Sequence, residues 1–193
     1  MVLHLWINAR AMQGQAAYDR VVRKVSVLPG LAAIEIFGIF LPLAFHAGYG
    51  LWVMRDPSRR APRSPYEPAR VPSLQRATGA VTLLFLSYHL AEIRFAVATS
   101  ALRPPDFHPT LAAMLSSTGS LGVPVAAVLY CIGLAAVSYH LAVGLTAFCF
   151  TFRLARTRGA HRFASFSGSV LGVLCFLLGA RTIVYFAAGA PMP

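Results

Sequence analysis

Four apolar stretches of this chain are each long enough to cross a lipid bilayer, and they restrict the fold more than any other feature. They lie near residues 29–54, 77–100, 119–151 and 164–189. A helix needs about 20 predominantly apolar residues to span a hydrocarbon core of roughly 30 Å. With 57% hydrophobic residues, 12% charged residues and a mean hydropathy of +0.64, the chain does not resemble an ordinary soluble domain. The sequence predicts an all-α transmembrane helical bundle in which residues 1–193 form one domain.

The first ten residues, MVLHLWINAR, are apolar up to Ile7 and polar after it. The last turns of a membrane helix have this pattern, so we expect a five-helix bundle whose first helix, residues 1–10, is largely truncated at the N-terminus. About 15–20 further apolar residues encoded upstream would complete that helix. Residues 11–28 predict an amphipathic connector that lies at the outer membrane surface.

The basic residues are grouped between the apolar stretches, which predicts how the chain crosses the membrane. Ten arginines lie in segments 55–76 and 152–163: Arg55, Arg59, Arg60, Arg63, Arg70, Arg76, Arg153, Arg156, Arg158 and Arg162. The opposite segments carry five basic residues: Arg10, Arg20, Arg23, Lys24 and Arg103. By the positive-inside rule, segments 55–76 and 152–163 are cytoplasmic. Because the positive charge is spread in this way, the formal net charge of +11 is not interpreted as a nucleic-acid surface.

Four histidines lie inside apolar stretches, at intervals of 42, 43 and 51 residues by subtraction: His4, His46, His89 and His140. Each interval is about one membrane crossing plus a loop, so the four can lie on four successive helices. A haem held between two helices needs one imidazole from each, at matched depth. At about 1.5 Å per residue, His46 and His140 lie roughly 12 and 16 Å from the cytoplasmic side, and His89 roughly 19 Å. His4 lies near the outer end of its helix, so the sequence predicts two haems with iron ligands paired His46–His140 and His4–His89.

Other interpretations of these histidines remain open. A single histidine in a membrane helix often only bonds a neighbouring carbonyl, so one haem or none is also compatible with the sequence. His108 and His161 lie between apolar stretches and are interpreted as surface residues. Cys131, Cys149 and Cys175 show no haem-attachment or iron–sulfur spacing and are interpreted as small core residues.

Haem propionates are anionic and need donors at the membrane edge. The haem between His46 and His140, nearer the cytoplasmic side, is called the inner haem. Its predicted donors are Arg76 and Gln75, at the start of the third helix, and Tyr49, at the end of the second. Arg94 is a further candidate for a propionate contact, and Glu92 for proton handling near a quinone. An ion pair, within the helix or between helices, explains these two charges equally well, and Glu35 raises the same question.

Five segments carry a family resemblance: HLWINARAMQGQAAYD at 4–19, LPLAFHAGYGLW at 41–52, SLQRATG at 73–79, LFLSYHL at 84–90 and YHLAVGL at 139–145. They resemble the cytochrome b (b558-type) membrane-anchor subunit of the succinate dehydrogenase/fumarate reductase family, in its five-helix, di-haem form. The resemblance implies that the first four helices supply the axial ligands, paired first with third and second with fourth. It also implies a flavoprotein subunit with covalent FAD, an iron–sulfur subunit, menaquinone or ubiquinone as substrate, surrounding membrane lipid, and a bacterial cytoplasmic membrane.

We therefore expect a subunit that carries electrons between an iron–sulfur subunit and quinone and has no catalytic residue for succinate or fumarate. The first alternative is the cytochrome b of another respiratory enzyme, of the formate dehydrogenase or hydrogenase type. The second is a haem-free membrane protein such as a small transporter or an assembly factor.

Overall fold

The computed structural model describes residues 1–55, 65–66, 68, 70–95, 97, 99, 107–120 and 122–188, and this part of the chain is helical without strands. Its α-helices are α1 (Val2–Ala9), α2 (Gln15–Ser26), α3 (Leu31–Arg55), α4 (Val71–His89), α5 (Phe107–Ser116), α6 (Val125–Thr151) and α7 (Arg158–Ala187). The predicted all-α fold class is confirmed. Arg59, Arg60, Arg63 and Arg103, which contribute to the predicted topology, lie outside the described residues.

Within the described residues, three helices are long and apolar enough to cross a membrane: α3, α6 and α7. The fourth predicted crossing, 77–100, falls on α4 and on a π-helical turn that follows it at Leu90–Phe95. Residues 96, 98 and 100 of that crossing lie outside the described part. A second π-helical turn, Ile36–Phe40, interrupts α3. Such wider turns are uncommon and often occur at functional sites.

Several helices begin at different residues from those expected. α4 begins at Val71 because Pro72, which lacks an N–H, suits the first turn of a helix. Ser73, which has the chemistry of an N-cap, instead donates from Oγ to the Arg70 carbonyl at 2.8 Å. α6 begins after Pro124, and α7 begins at Arg158, where the Thr157 side chain accepts from the Ala160 N–H at 3.1 Å. Because α4 and α7 begin inside segments 55–76 and 152–163, the loops in these arginine-rich segments are shorter than the apolar pattern predicts.

α6 and α7 pack closely because α7 presents small residues to its neighbour. A Cβ atom at Gly168 would lie 2.5 Å from the Ala142 carbonyl oxygen, and one at Gly172 would lie 2.8 Å from the Ser138 carbonyl oxygen. A Cβ atom at Gly179 would lie 2.6 Å from the Leu134 side chain. Small residues let membrane helices approach closely, so these glycines fix the central pair of the bundle.

The remaining helices differ in how they join this pair. α1, α2 and α5 contribute to a buried cluster at one end of the bundle, around Tyr18, Leu111, Tyr130 and Phe186. The described residues of α3, in contrast, include none that is buried, and Phe37 and Phe45 are 67% and 73% exposed. A helix that is apolar on all sides is compatible with lipid contact. α4 likewise has no buried residue but packs along α6, so among the described long helices α3 is the one without a packed face.

Candidate functional site: two histidine pairs

The imidazole rings of His46 on α3 and His140 on α6 lie 6.1 Å apart between centroids, with an interplanar angle of 77°. A metal–imidazole bond of about 2 Å on each side, plus the distance from each nitrogen to its ring centre, gives about 6 Å for two ligands of one iron. His46 is exposed and His140 is partly buried. The separation fits a haem iron between the two rings.

Gln75 on α4 contacts His140 at two points. The backbone carbonyl of Gln75 lies 3.1 Å from Nδ1 of His140, and because a carbonyl only accepts, Nδ1 donates. The side-chain Nε2 of Gln75 donates to the His140 carbonyl at 3.0 Å. A ring whose Nδ1 donates to a carbonyl keeps the lone pair on Nε2 for a metal and has a fixed orientation.

The absence of a side chain at Gly79 leaves space for the His140 ring. A Cβ atom at position 79 would lie 2.9 Å from Cε1 and 3.3 Å from Nδ1 of His140. By comparison, a Cβ atom at Gly144 would meet only the Gln75 Nε2 atom at 3.5 Å, and one at Gly48 would meet nothing within 4 Å. Of these three positions, only position 79 is so close to the His140 imidazole that the side chain of any residue other than glycine would collide with the ring.

The second pair has a similar separation. The rings of His4 on α1 and His89 at the end of α4 lie 5.7 Å apart between centroids, at an interplanar angle of 82°. Here Nδ1 of His89 lies 3.2 Å from the Tyr130 hydroxyl on α6. Phe85, one helical turn before His89, stacks on its ring with centroids 5.9 Å apart. This pair also combines an exposed residue, His4, with a partly buried one, His89.

Two further residues support the second pair. Gly133 on α6 makes room for Phe85, since a Cβ atom there would overlap the phenyl ring. Asn8 donates from Nδ2 to the His4 carbonyl at 2.9 Å, and the same Nδ2 lies 3.4 Å from Nε2 of His4. Tyr18 donates to Oδ1 of Asn8 at 3.3 Å. α2 is thereby connected to the ligand candidate on α1.

A small polar cluster lies next to this pair, at the start of α5. His108 Nε2 and the Tyr185 hydroxyl are 3.3 Å apart, and the His108 ring also contacts Tyr18. Burial lowers the pKa of His108, and the nearby carboxylate of Asp19 opposes that shift. Burial, with a smaller contribution from Asp19, raises the pKa of Tyr18 to about 12. Tyr18 therefore stays protonated, as a hydrogen-bond donor, at neutral pH.

An ion pair connects α3 to the π-helical turn that follows α4. Nη2 of Arg94 lies 2.6 Å from Oε2 of Glu35, so Arg94 makes the interhelical ion pair that the sequence left as an alternative. Both residues adjoin π-helical turns, because Glu35 precedes Ile36–Phe40 and Arg94 lies within Leu90–Phe95. Glu92 is exposed on the same turn. With the approach of His46 to His140, this ion pair positions a helix that otherwise has no buried residue in the described part.

The other predicted site residues occupy different surroundings. Gln75 contacts His140, whereas Arg76, the next residue, is partly buried on α4. Tyr49 is 52% exposed and its ring contacts Phe45 and Trp52 on the same helix. The propionate contacts predicted for Arg76, Gln75, Tyr49 and Arg94 stay predictions.

The interpretation of His161 as a surface residue was wrong. His161 lies in the first turn of α7 and is only 7% exposed. His108, interpreted in the same way, is partly buried on α5 against Tyr185. α7 begins earlier than its apolar window, and α5 begins within a segment interpreted as a loop, so both histidines lie in first turns of helices.

Sequence reasoning missed four supporting residues: Gly79, Gly133, Tyr130 and Asn8. Asn8 had a detectable signal, since it follows His4 by one helical turn and i,i+4 residues share a helix face. The other three act across helices, and their contacts depend on helix packing. Within the described residues, no three His, Cys, Asp or Glu side chains converge as a metal cluster, which a two-histidine iron site does not require.

These features define a helical membrane protein with two histidine pairs, each pair formed by residues of two different helices. The chain is 31% identical over 186 residues to the succinate dehydrogenase cytochrome b558 subunit of Bacillus subtilis (strain 168), and the match covers 96% of this chain and 88% of that protein. The chain belongs to the succinate dehydrogenase cytochrome b558 family. No protein-family model matches the chain, and no solved structure matches it.

Proposed function

We propose that this chain is the di-haem cytochrome b anchor of a succinate:quinone oxidoreductase and carries electrons between an iron–sulfur subunit and membrane quinone. The observation that carries the proposal is the pair of ring separations, 6.1 Å for His46–His140 and 5.7 Å for His4–His89. Both are close to the roughly 6 Å that two axial imidazoles of one iron require. The relative's name supplies the enzyme, since that protein is a succinate dehydrogenase cytochrome b558 subunit.

The residues of this chain would hold each haem in a defined way. Nε2 of His46 and His140 would bind the inner iron, and Gln75 would keep the His140 ring oriented through its Nδ1 atom. His4 and His89 would bind the outer iron, with Tyr130 as the partner of His89 Nδ1. Bound haem supplies one-electron transfer. The exposed residues His4 and His46 and the open space beside Gly48 are what such a flat group would cover.

The proposed complex places the two catalytic subunits on the side of the arginine-rich segments 55–76 and 152–163, which we infer to be cytoplasmic. The partners are a flavoprotein subunit and an iron–sulfur subunit, because succinate oxidation needs a soluble catalytic domain. The proposed bundle has five membrane helices: α1, α3, α4, α6 and α7.

Purification of the tagged full chain from its native membranes tests this function. We expect a flavoprotein with covalent flavin and an iron–sulfur protein to copurify, and reduced b-type absorbance bands to develop on addition of succinate. A band that develops with formate or hydrogen but not with succinate would favour the other respiratory enzymes. A chain that contains no haem after gentle extraction would favour a haem-free membrane protein.

A further inference from the structure

Two adjoining cavities of 460 and 420 Å³ lie where α4 and α7 begin and α6 approaches its end. They share the side chains of Tyr66, His161 and Arg162. The first continues between the helices along Val71, Ala142 and Phe166, whereas the second is bordered by Pro65 and Arg158. Neither His46 nor His140 lines either cavity, so both are separate from the histidine pairs.

The cavities extend from the end of the helices toward the membrane interior. His161 lies three residues into α7, or about 5 Å from its start at a rise of about 1.5 Å per residue. Ser169, which lines the first cavity, lies about 16 Å from that start. The combined space therefore runs from headgroup depth into the depth of the acyl chains.

The polar end of this space has the chemistry of an anion site. Arg158 and Arg162 line the second cavity, and among the described lining residues of both cavities none is acidic. His161 is 7% exposed, and its Nε2 atom has no hydrogen-bond partner within the described part of the chain. A buried polar atom without a partner is costly, and it lies here in the wall of both cavities. An anionic oxygen at this position would satisfy His161 and the two guanidinium groups together.

We infer that the two cavities form a binding site for one acidic phospholipid, with its phosphate at Arg158, His161 and Arg162 and an acyl chain along Val71, Ala142 and Phe166. Basic pockets between membrane helices at headgroup depth are typical of anionic lipid recognition. A quinone has a polar head and an apolar tail, but its uncharged head leaves two arginines without a counter-charge. The inference depends on the placement of α4, α6 and α7 and not on haem binding.

Lipid titration of the full chain tests this site. The chain is purified in detergent with the subunits that accompany it, freed of lipid, and titrated with phosphatidylglycerol or phosphatidylcholine carrying the same dioleoyl chains. Native mass spectrometry counts the bound lipid. Both lipids carry the phosphate, but the choline ammonium cancels its net charge. We expect phosphatidylglycerol to bind about tenfold more tightly, because the attraction of each arginine to an anionic headgroup is worth about 1 kcal/mol. The variant Arg158→Gln/Arg162→Gln should lose this preference.

Arg156→Gln is the matched control, because Arg156 is exposed in the same segment and lines neither cavity. It should keep the preference for phosphatidylglycerol, and circular dichroism should show the same helical content in all variants. Equal binding of the two lipids, or an equal loss in the control, would overturn the inference. Displacement of phosphatidylglycerol by inorganic phosphate alone or by a soluble quinone analogue would also overturn it, since the site would then recognise a free anion or a quinone.

Discussion

The two histidine pairs have similar ring separations, 6.1 and 5.7 Å, but they are supported differently. In the inner pair, Nδ1 of His140 donates to a backbone carbonyl, that of Gln75, and the opposing ring is on α3, which has no buried residue in its described part. In the outer pair, Nδ1 of His89 contacts the Tyr130 hydroxyl, and the opposing ring is on α1, which also has no buried residue but packs beside α7. In the inner pair, the hydrogen-bond partner is a backbone atom that no substitution removes, and the opposing histidine is on a loosely packed helix. In the outer pair, the partner is a side-chain hydroxyl that a substitution can remove, and the opposing histidine is on a packed helix.

Because of this difference, different substitutions are expected to disturb the two histidine pairs. A carbonyl partner cannot be deleted by changing a side chain, so the inner ring is vulnerable through the space it occupies and through the attachment of α3. The hydroxyl partner of the outer ring can be deleted, while its helix stays packed. The following substitutions are designed to break one pair while the other serves as the internal reference.

The largest effect is expected from Gly79→Val. A Cβ atom at this position already lies 2.9 Å from Cε1 of His140, and the branched side chain would displace the ring. The haem-to-protein ratio of the purified chain should fall by about half, with the outer haem retained. Gly159→Ala, in the first turn of α7, is the control, because its Cβ atom would meet nothing within 4 Å, Gly159 supports neither histidine pair, and the ratio should not change. An unchanged ratio in Gly79→Val would contradict the proposed position of His140 as a ligand.

The second effect concerns the ion pair between Glu35 and Arg94. Replacing one partner, as in Glu35→Gln, leaves the other charge without its counter-charge and weakens the attachment of α3. Because Arg94 is 41% exposed, we expect a cost of about 1 kcal/mol and not the larger penalty of a fully buried pair. The temperature of thermal unfolding, monitored by the loss of inner-haem absorbance, should be a few degrees lower in this variant.

The double variant Glu35→Gln/Arg94→Gln provides the control for this pair. It should be more stable than either single variant, since neither charge is left unpaired. Additive losses in the double variant would show that the two side chains act independently of each other.

A smaller effect is expected from Tyr130→Phe. It removes the hydroxyl that lies 3.2 Å from Nδ1 of His89 but keeps the aromatic ring. Loss of a ligand's outer hydrogen bond typically weakens metal binding by about tenfold or more, so the outer haem should dissociate faster and its electron paramagnetic resonance signal should shift. Gln75→Leu is the comparison at the inner site, because the carbonyl partner of His140 remains. A shift confined to the inner signal in Tyr130→Phe would reverse the assignment of the two pairs.

The smallest effect is a pH dependence at Tyr18. Its pKa is raised from 10.0 to about 12 by burial and by Asp19. A raised pKa in the folded protein contributes stability that is fully present below pH 10 and is lost as pH rises toward 12. The melting temperature of the parent chain should therefore fall more steeply over this range than that of Tyr18→Phe. Tyr49→Phe, at an exposed tyrosine, should behave like the parent chain.

Much of the fold followed from the sequence because apolar windows and helix-period spacing are local signals. The positions of α3, α6 and α7 agree with their apolar stretches, although several starts do not. α6 begins only after Pro124, and Pro72 and Thr157 begin α4 and α7 before the apolar residues do. His161 was misjudged for this reason. The supporting contacts of Gly79 and Tyr130 were out of reach, since they depend on which helix faces meet.

The central claim is that each pair of histidines holds its own haem, and the haem content of single ligand variants tests it most directly. His46→Ala and His4→Ala are purified as full chains, and haem per protein is measured beside the circular dichroism spectrum. We predict that each variant keeps native helical content and about half of the haem, with different midpoint potentials for the remaining centre, and that the double variant keeps none. Full haem retention in both single variants, with native helical content, would contradict the account.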